Sequence, residues 1–393
     1  MVKQKSYTTP PLSVVIAMYN AEKYIAQCLE SLLRQTFKDF EVIIVDDCST
    51  DKSVSIVRSF EKKFSGRLEL ICLKKNSGCP SVPRNTAIKN ARGKYITFLD
   101  SDDFFTDTAL EEMYKIAEET DAEVIHAQTY FQFKDGANAL FENTYQRTNL
   151  VSAPTLETED IGARVRKFTE YGFLWWGCNK LIRRDLIIDN AIEFPLVSVY
   201  EDMVFTFCLV VCAKKYVRVP NCFYCYRIRE GSLSHKPAEP VKTLKDLIAI
   251  FEALDNFMSR QEHFIENPQD RYDLLDWHCQ NKMNTICKIL YQMLNLSPSR
   301  VETLFRREVF SNLEDISPVI MSYFFTTSSF YRFKLYQLTE ENKQLREDLK
   351  LAQLQQKITS FASSSETVSS ALNFGQDNSL KLPTDFKLGG DSN

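Results

Sequence analysis

Gly93-Lys94-Tyr95-Ile96-Thr97-Phe98-Leu99-Asp100-Ser101-Asp102-Asp103 reads as a strand that stops on carboxylates. Tyr95 to Leu99 has the length and composition of a buried strand. Open α/β sheets bind their ligands at the carboxyl ends of the strands, which is where the Asp residues fall. Asp oxygens are hard ligands suited to Mg²⁺ or Mn²⁺, ions commonly shared with a substrate's phosphates. The first expectation is a divalent ion holding a diphosphate. Taken alone, the tetrapeptide fits a solvated, helix-capping turn as well, so its surroundings decide.

Strands and helices alternate on both sides of it. Leu12 to Met18 reads as a buried strand, Ala21 to Gln35 as a helix, and Phe40 to Val45 as a second strand ending at Asp46-Asp47. A helix is expected over Lys52 to Phe64 after the N-cap candidates Ser49-Thr50-Asp51, then a strand at Leu68 to Leu73. Pro83 to Ala91 and Thr106 to Glu119 read as helices, and Val124-Ile125-His126 as a further strand. The pattern predicts an α/β fold: a doubly wound, mostly parallel, Rossmann-like sheet. In such a sheet the polar strand ends Tyr19-Asn20, Asp46-Asp47, Asn76-Ser77-Gly78 and Asp100 to Asp103 converge on one crevice.

The 393 residues suffice for two or three domains, and a 44% apolar composition supports a sizeable core. Lys plus Arg total 48 against 52 Asp plus Glu, a net charge of -4, so no nucleic-acid partner is expected. The chain carries no apolar run of membrane-spanning length and no apolar leader after Met1, which points to the cytoplasm, with peripheral contact at the inner face of the plasma membrane as an option. Eleven Cys residues follow no framework of spacings and read as reduced, small hydrophobes. The lone Cys222-Phe223-Tyr224-Cys225 sits in a β-like run and is a poor zinc motif.

Beyond the alternating region, Tyr130 to Phe133 and Cys222 to Tyr226 look like strands, and Glu201-Asp202 heads an apolar helix reaching about Cys212. Residues 237–312 read as helices, for example Leu274 to Leu294. From Tyr331 a short heptad seam follows: Tyr331, Leu335, Leu338, Asn342, Leu345, Leu349, Ala352. It suits either a coiled coil joining copies of the chain through residues 331–356 or one amphipathic helix packed on its own domain. After Thr359 the Ser-rich composition reads as a disordered tail. The expected organisation is residues 1–230 as one domain, with a nucleotide-binding half at about 10–130 and an acceptor half at about 131–230. A helical domain at 231–328, an amphipathic helix at 329–358 and a tail at 359–393 complete it.

Val14 to Asn20, Glu41 to Asp51, Asn85 to Gly93 and Tyr95 to Asp103 together resemble the family 2 glycosyltransferases of GT-A fold. Trp176-Gly177-Cys178-Asn179-Lys180-Leu181 and Tyr200-Glu201-Asp202 extend the resemblance to about residue 230. Two departures stand out: Cys48, where the family usually has Gly or Asn, and the Pro-rich Cys79-Pro80-Ser81-Val82-Pro83. The resemblance implies transfer, with inversion, of a sugar from a nucleotide-sugar donor, most often UDP-linked, to a hydroxyl of a glycan or lipid-linked acceptor. Bacterial surface-polysaccharide or lipopolysaccharide synthesis is the setting it suggests, with Mn²⁺ or Mg²⁺ as cofactor.

Residue roles follow from the same resemblance. Asp47 would accept from the uracil ring, an acceptor-only task. Tyr19 would pack on the base or ribose, with a strand-end core Tyr as the alternative. Arg84 would reach the diphosphate or ribose, its alternative being a surface Arg at a helix start. Asp100-Ser101-Asp102 forms the D-x-D motif; Asp100 would contact the ribose or the ion's water, and Asp102 would ligate the ion. Asp103 would bind the donor sugar or cap a helix. Asp202 is the candidate general base, with Glu201 orienting the acceptor or tuning its neighbour; helix-dipole carboxylates are the plainer reading. Trp176 of the Trp175-Trp176 pair is the better saccharide contact, against a core role. Lys180 would neutralise phosphate or position the acceptor.

Sugar nucleotidyltransferases and nicotinamide dehydrogenases need a Gly-rich turn after the first strand, where this chain has Tyr19-Asn20-Ala21-Glu22. A non-catalytic glycan-binding or scaffold protein of a glycan-assembly complex remains the alternative, and Asp47, Asp102 and Asp202 weigh against it.

Overall fold

The structure is a computed structural model that describes residues 9–134, 141–144, 150–229 and 240–294, with scattered positions from 344 to 353. The elements run β1 (Leu12–Met18), α1 (Ile25–Arg34), β2 (Phe40–Asp46), α2 (Ser53–Phe60), β3 (Leu68–Cys72), α3 (Ser81–Asn90) and β4 (Tyr95–Phe98). There follow β5 (Phe104–Phe105), α4 (Ala109–Thr120), β6 (Val124–Lys134), β7 (Phe141–Thr144), β8 (Thr155–Leu156), α5 (Ile161–Thr169), β9 (Lys180–Arg183) and α6 (Arg184–Asp189). The described elements end with α7 (Glu201–Cys212), β10 (Tyr216–Ile228), α8 (Pro240–Met258), α9 (Glu262–Glu266) and α10 (Pro268–Leu294).

One sheet has the order β3-β2-β1-β4-β9-β6-β10-β5, with β7 on β6 and β8 on β10. Strands β3, β2, β1 and β4 are parallel. β1 and β2 are buried along nearly their whole length, so they read as continuous apolar runs rather than alternating ones. The chain winds outward from β1 to β3 and returns to place β4 on the other side of β1. That reversal is the switch point at which such sheets bind ligands. In register, Met18 faces Asp46 and Val15 faces Phe98, so the loops after β1, β2 and β4 leave at one edge.

A buried polar staple fixes the opposite ends of these strands. Ser13 Oγ donates to Glu41 Oε1 at 2.7 Å and accepts from the Gly93 amide at 2.8 Å. A Cβ on Gly93 would stand 2.5 Å from the Ser13 nitrogen, so only glycine lets this loop meet β1.

Several expectations shift. β9 is a four-residue strand that the sequence reading lacked, and it runs antiparallel to both β4 and β6. The runs at 124–126 and 130–133 are one strand, β6, because residues 127–129 are as extended and buried as their neighbours. Cys222 to Tyr226 is the middle of β10, and the described cysteines carry no disulfide.

Helices α8 to α10 belong to the same compact unit as the sheet, which runs to Met321; a second unit spans Ser322–Asn393. In the second unit Gln344, Glu347, Asp348 and residues 350–353 are helical and exposed. The rest of the expected seam and the tail lie outside the described residues. No helix among the described residues is long and apolar enough to cross a membrane.

Candidate active site

The loops after β1, β2 and β3 are laced together by side chains capping backbone. Asn20 Oδ1 accepts from the Thr50 amide at 2.8 Å, Ser49 Oγ accepts from the Asn20 amide at 2.9 Å, and Asp46 Oδ2 accepts from the Ser49 amide at 3.0 Å. The Asp47 carboxylate accepts from the Ser77 amide and hydroxyl, both at 2.9 Å, which pins the loop after β3 to the end of β2. Tyr19 is 51% exposed at this edge, so it is no core tyrosine. Cys48, at the family's usual Gly or Asn position, has φ +63°, in the left-handed region that those two residues tolerate best.

The turn after β4 supplies three carboxylates with different surroundings. Asp100 Oδ1 receives Arg84 Nη2 at 3.0 Å, and Cys178 Sγ points at its Oδ2 from 3.8 Å. Asp102 Oδ2 receives Arg229 Nε at 2.6 Å, while Oδ1 has no protein partner among the described residues. Asp103 is buried, and both its oxygens are used: Tyr224 Oη donates at 2.6 Å and the Arg227 amide at 2.7 Å. Burial, then the charges of Asp102 and Asp100, push the Asp103 carboxyl well up. It caps no helix among the described residues; it ties the turn to β10.

A second group of carboxylates stands at the start of α7, where Glu201 and Asp202 follow Tyr200 at φ +66°. Such a conformation in a bulky residue is strained. Arg84 on α3 joins the two sides. Its Nη1 lies 2.8 Å from Glu201 Oε1 and 3.0 Å from Asp202 Oδ1, while Nη2 holds Asp100. Burial alone would depress the guanidinium, but Asp202, Asp100 and Glu201 together raise it, so it stays a cation. Arg84 is thus buried among carboxylates, not a surface helix-start residue. Burial raises Asp202 and raises Glu201 to about 7, with the Asp202 charge adding to the latter. Gly177 packs so close that a Cβ there would stand 2.9 Å from Asp202 Oδ1.

The two tryptophans face different surroundings. Trp176 packs with Tyr130 and Tyr226, at ring-centroid distances of 4.7 and 5.2 Å. Trp175 packs with Tyr171 and with Trp277 of α10, at 5.4 and 5.5 Å. Lys180 corrects the expectation of a phosphate or acceptor contact. It is fully buried, and its Nζ donates to the carbonyls of Leu174, at 2.9 Å, and Trp176. Burial lowers its ammonium to about 7. Lys180 braces the tryptophan loop from beneath.

The sequence reading missed Arg227, Arg229, Tyr224 and Gly177. Tyr224 lies inside the run read as a strand, and the two arginines follow that run closely in the chain.

The carboxylate set fits a divalent ion. Among the described residues no three His, Cys, Asp or Glu groups come together as a metal cage. An ion held by one or two carboxylates and shared with phosphates needs none, and Asp102, with an open oxygen, has Asp100 beside it.

The model of the family described as "Glycosyl transferase family 2" matches residues 13–189. The poly(ribitol-phosphate) beta-glucosyltransferase of Bacillus spizizenii is 32% identical over 253 residues, which are 62% of this chain and 37% of that protein. Glycosyltransferase GlyG of Streptococcus pneumoniae is 30% identical over 61% of this chain and 78% of its own length. The crystal structure of Staphylococcus aureus TarS 1-349 in complex with UDP-GlcNAc superposes with a TM-score of 0.56 at 26% identity, covering 75% of this chain and 83% of that one. This chain therefore spans well under two thirds of the first of these relatives, and its fold is the GT-A fold of TarS.

Proposed function

From the premise that the chain belongs to family 2 of the glycosyltransferases, we propose that it moves a sugar from a UDP-sugar, with inversion, onto a hydroxyl of a bacterial polyol-phosphate or related surface glycan. The observation that carries the reading is Arg84, whose one guanidinium links Asp100 at the sheet's switch point to Glu201 and Asp202 at the start of α7. A donor site and a base site are thereby held together. UDP is favoured because TarS was crystallised with UDP-GlcNAc, and the acceptor class because the B. spizizenii relative is named for poly(ribitol-phosphate).

Asp47 and Tyr19 line the edge where the uridine would sit. Asp47 already accepts from Ser77, so it also sets the loop that covers the base. Asp102, with Asp100 beside it, would hold Mg²⁺ or Mn²⁺, and that ion, when bound, supplies Lewis-acid stabilisation of the departing diphosphate. Asp202 takes the acceptor hydroxyl's proton at Oδ1 or Oδ2 as the oxygen attacks the anomeric carbon from the face opposite the leaving group. Glu201 shares Arg84 with it and helps to hold that guanidinium against the base. Trp176, in its aromatic group with Tyr130 and Tyr226, offers a stacking face for a sugar ring.

The test is nucleotide release from a panel of UDP-, GDP- and dTDP-sugars with Mn²⁺ and a poly(ribitol-phosphate) acceptor. Release from one UDP-sugar, abolished by chelator and by Asp102→Asn, is the expected result. Preference for GDP- or dTDP-sugars, or release indifferent to both treatments, would refute it. The glycan-binding alternative predicts acceptor binding with no release.

A further inference from the structure

Arg229 occupies the carboxylate that fits the divalent ion. Its Nε is 2.6 Å from Asp102 Oδ2, and the two side chains are 27% and 24% exposed. The contact is therefore at the mouth of the site rather than within the core. Arg227, two residues earlier and near the end of β10, donates from Nε to the Asp102 carbonyl at 2.7 Å. Both guanidinium groups lie over the ring of Tyr24 on the β1–α1 segment, at 4.9 and 5.3 Å. With Arg84 on Asp100, the turn after β4 is surrounded by cations of the chain itself.

A guanidinium and a divalent cation compete for one carboxylate. Bound together they place three positive charges against a single negative one, and the repulsion is relieved only if an anion arrives with the ion. A diphosphate is such an anion, and a guanidinium fork matches phosphate oxygens bidentately. Tyr24 gives Arg229 an aromatic face to rest on when it leaves Asp102.

We propose that Arg229 is a positioning residue that makes cation binding conditional on the donor: it holds Asp102 while the site is empty and transfers to the diphosphate when ion and nucleotide bind. This rests on the reading of a UDP-sugar and divalent-ion site. It implies reciprocal coupling, with Mn²⁺ and UDP each raising the other's affinity. In Arg229→Gln the competitor is gone, so Mn²⁺ alone binds more tightly while the coupling shrinks. Arg229→Lys keeps a cation without the fork and moves both quantities less, in the same directions.

The experiment is a Mn²⁺ titration of the full chain, reading the free ion by its paramagnetic resonance signal, with and without UDP. For the unaltered protein UDP should tighten Mn²⁺ by about tenfold or more, and Arg229→Gln should bind Mn²⁺ alone about tenfold more tightly, magnitudes ordinary for coupled sites. Unchanged Mn²⁺ affinity and unchanged coupling in both variants would overturn the proposal while leaving the donor site intact. An unaltered protein that binds no Mn²⁺ even with UDP would instead remove the donor-site reading itself. Thermal melting of each variant separates lost binding from lost fold.

Discussion

Asp202 and Glu201 stand side by side with one guanidinium reaching both. A base acts only when ionised, and burial raises the carboxyl of Asp202, so activity should fall as pH falls. The acid limb of kcat/KM should lie above the ordinary carboxylate range, in the direction in which burial and the charge of Asp100 move Asp202. Glu201→Gln should move that limb toward acid; a limb left in place would mean that another group sets it. Asp202→Asn should lower kcat by about 10²- to 10⁴-fold with the fold intact, as steady-state kinetics and circular dichroism would show. Gly177→Ala is a finer probe. Its Cβ would meet Asp202 Oδ1 at 2.9 Å and displace the carboxylate, so kcat should drop with little change in melting temperature. At this scale the carboxylates that gather at the sheet edge were legible and their partners were not. Asp103 and Lys180 sit next to polar neighbours in the chain, as site residues do, yet both are buried with their polar atoms spent on the protein. No periodicity tells where an Nζ or a carboxylate points.

At the scale of elements, β1, β2 and β4 were readable because both faces of those strands are covered and their apolar runs are continuous, whereas β3, at the sheet edge and only partly buried, was readable from its alternation. β9 was not, since four residues, Lys180 to Arg183, are too few to show a period. The loop after β2 was readable as a turn, but its left-handed residue was not: Cys48 at φ +63° is a conformation, not a composition. Cys48→Gly should stabilise the protein by about 1 kcal/mol by relieving that strain, measured by denaturant unfolding. Gly93→Ala should do the reverse. Its Cβ meets the backbone of Leu12 and Ser13, so β1 and β4 must separate, at about 1–3 kcal/mol. A Gly93→Ala variant as stable as the parent would mean that the 92–94 loop can move aside.

At the scale of the whole molecule, the parallel half ends in the loops after β1, β2 and β3 and in Asp100 to Asp103, while the strands and helices after β5 bring Glu201 and Asp202 to the same edge. Arg84 is the joint between them. Replacing it by Met would leave three carboxylates facing one another without a cation. Such a variant should lose both activity and about 3–5 kcal/mol of stability, the range for removing one partner from a buried ion pair. Chain order alone could suggest that the two halves meet, because polar strand ends share an edge in a parallel sheet. The guanidinium shared across 117 residues of sequence required the folded chain.

The central claim is direct, inverting transfer with Asp202 as base. Its most direct test is the anomeric configuration of the product made from an α-linked UDP-sugar and a poly(ribitol-phosphate) acceptor, read from the anomeric proton coupling by NMR. The account predicts a β-linked product that is absent with Asp202→Asn. An α-linked product, or a β-linked product formed equally fast by Asp202→Asn, would contradict it.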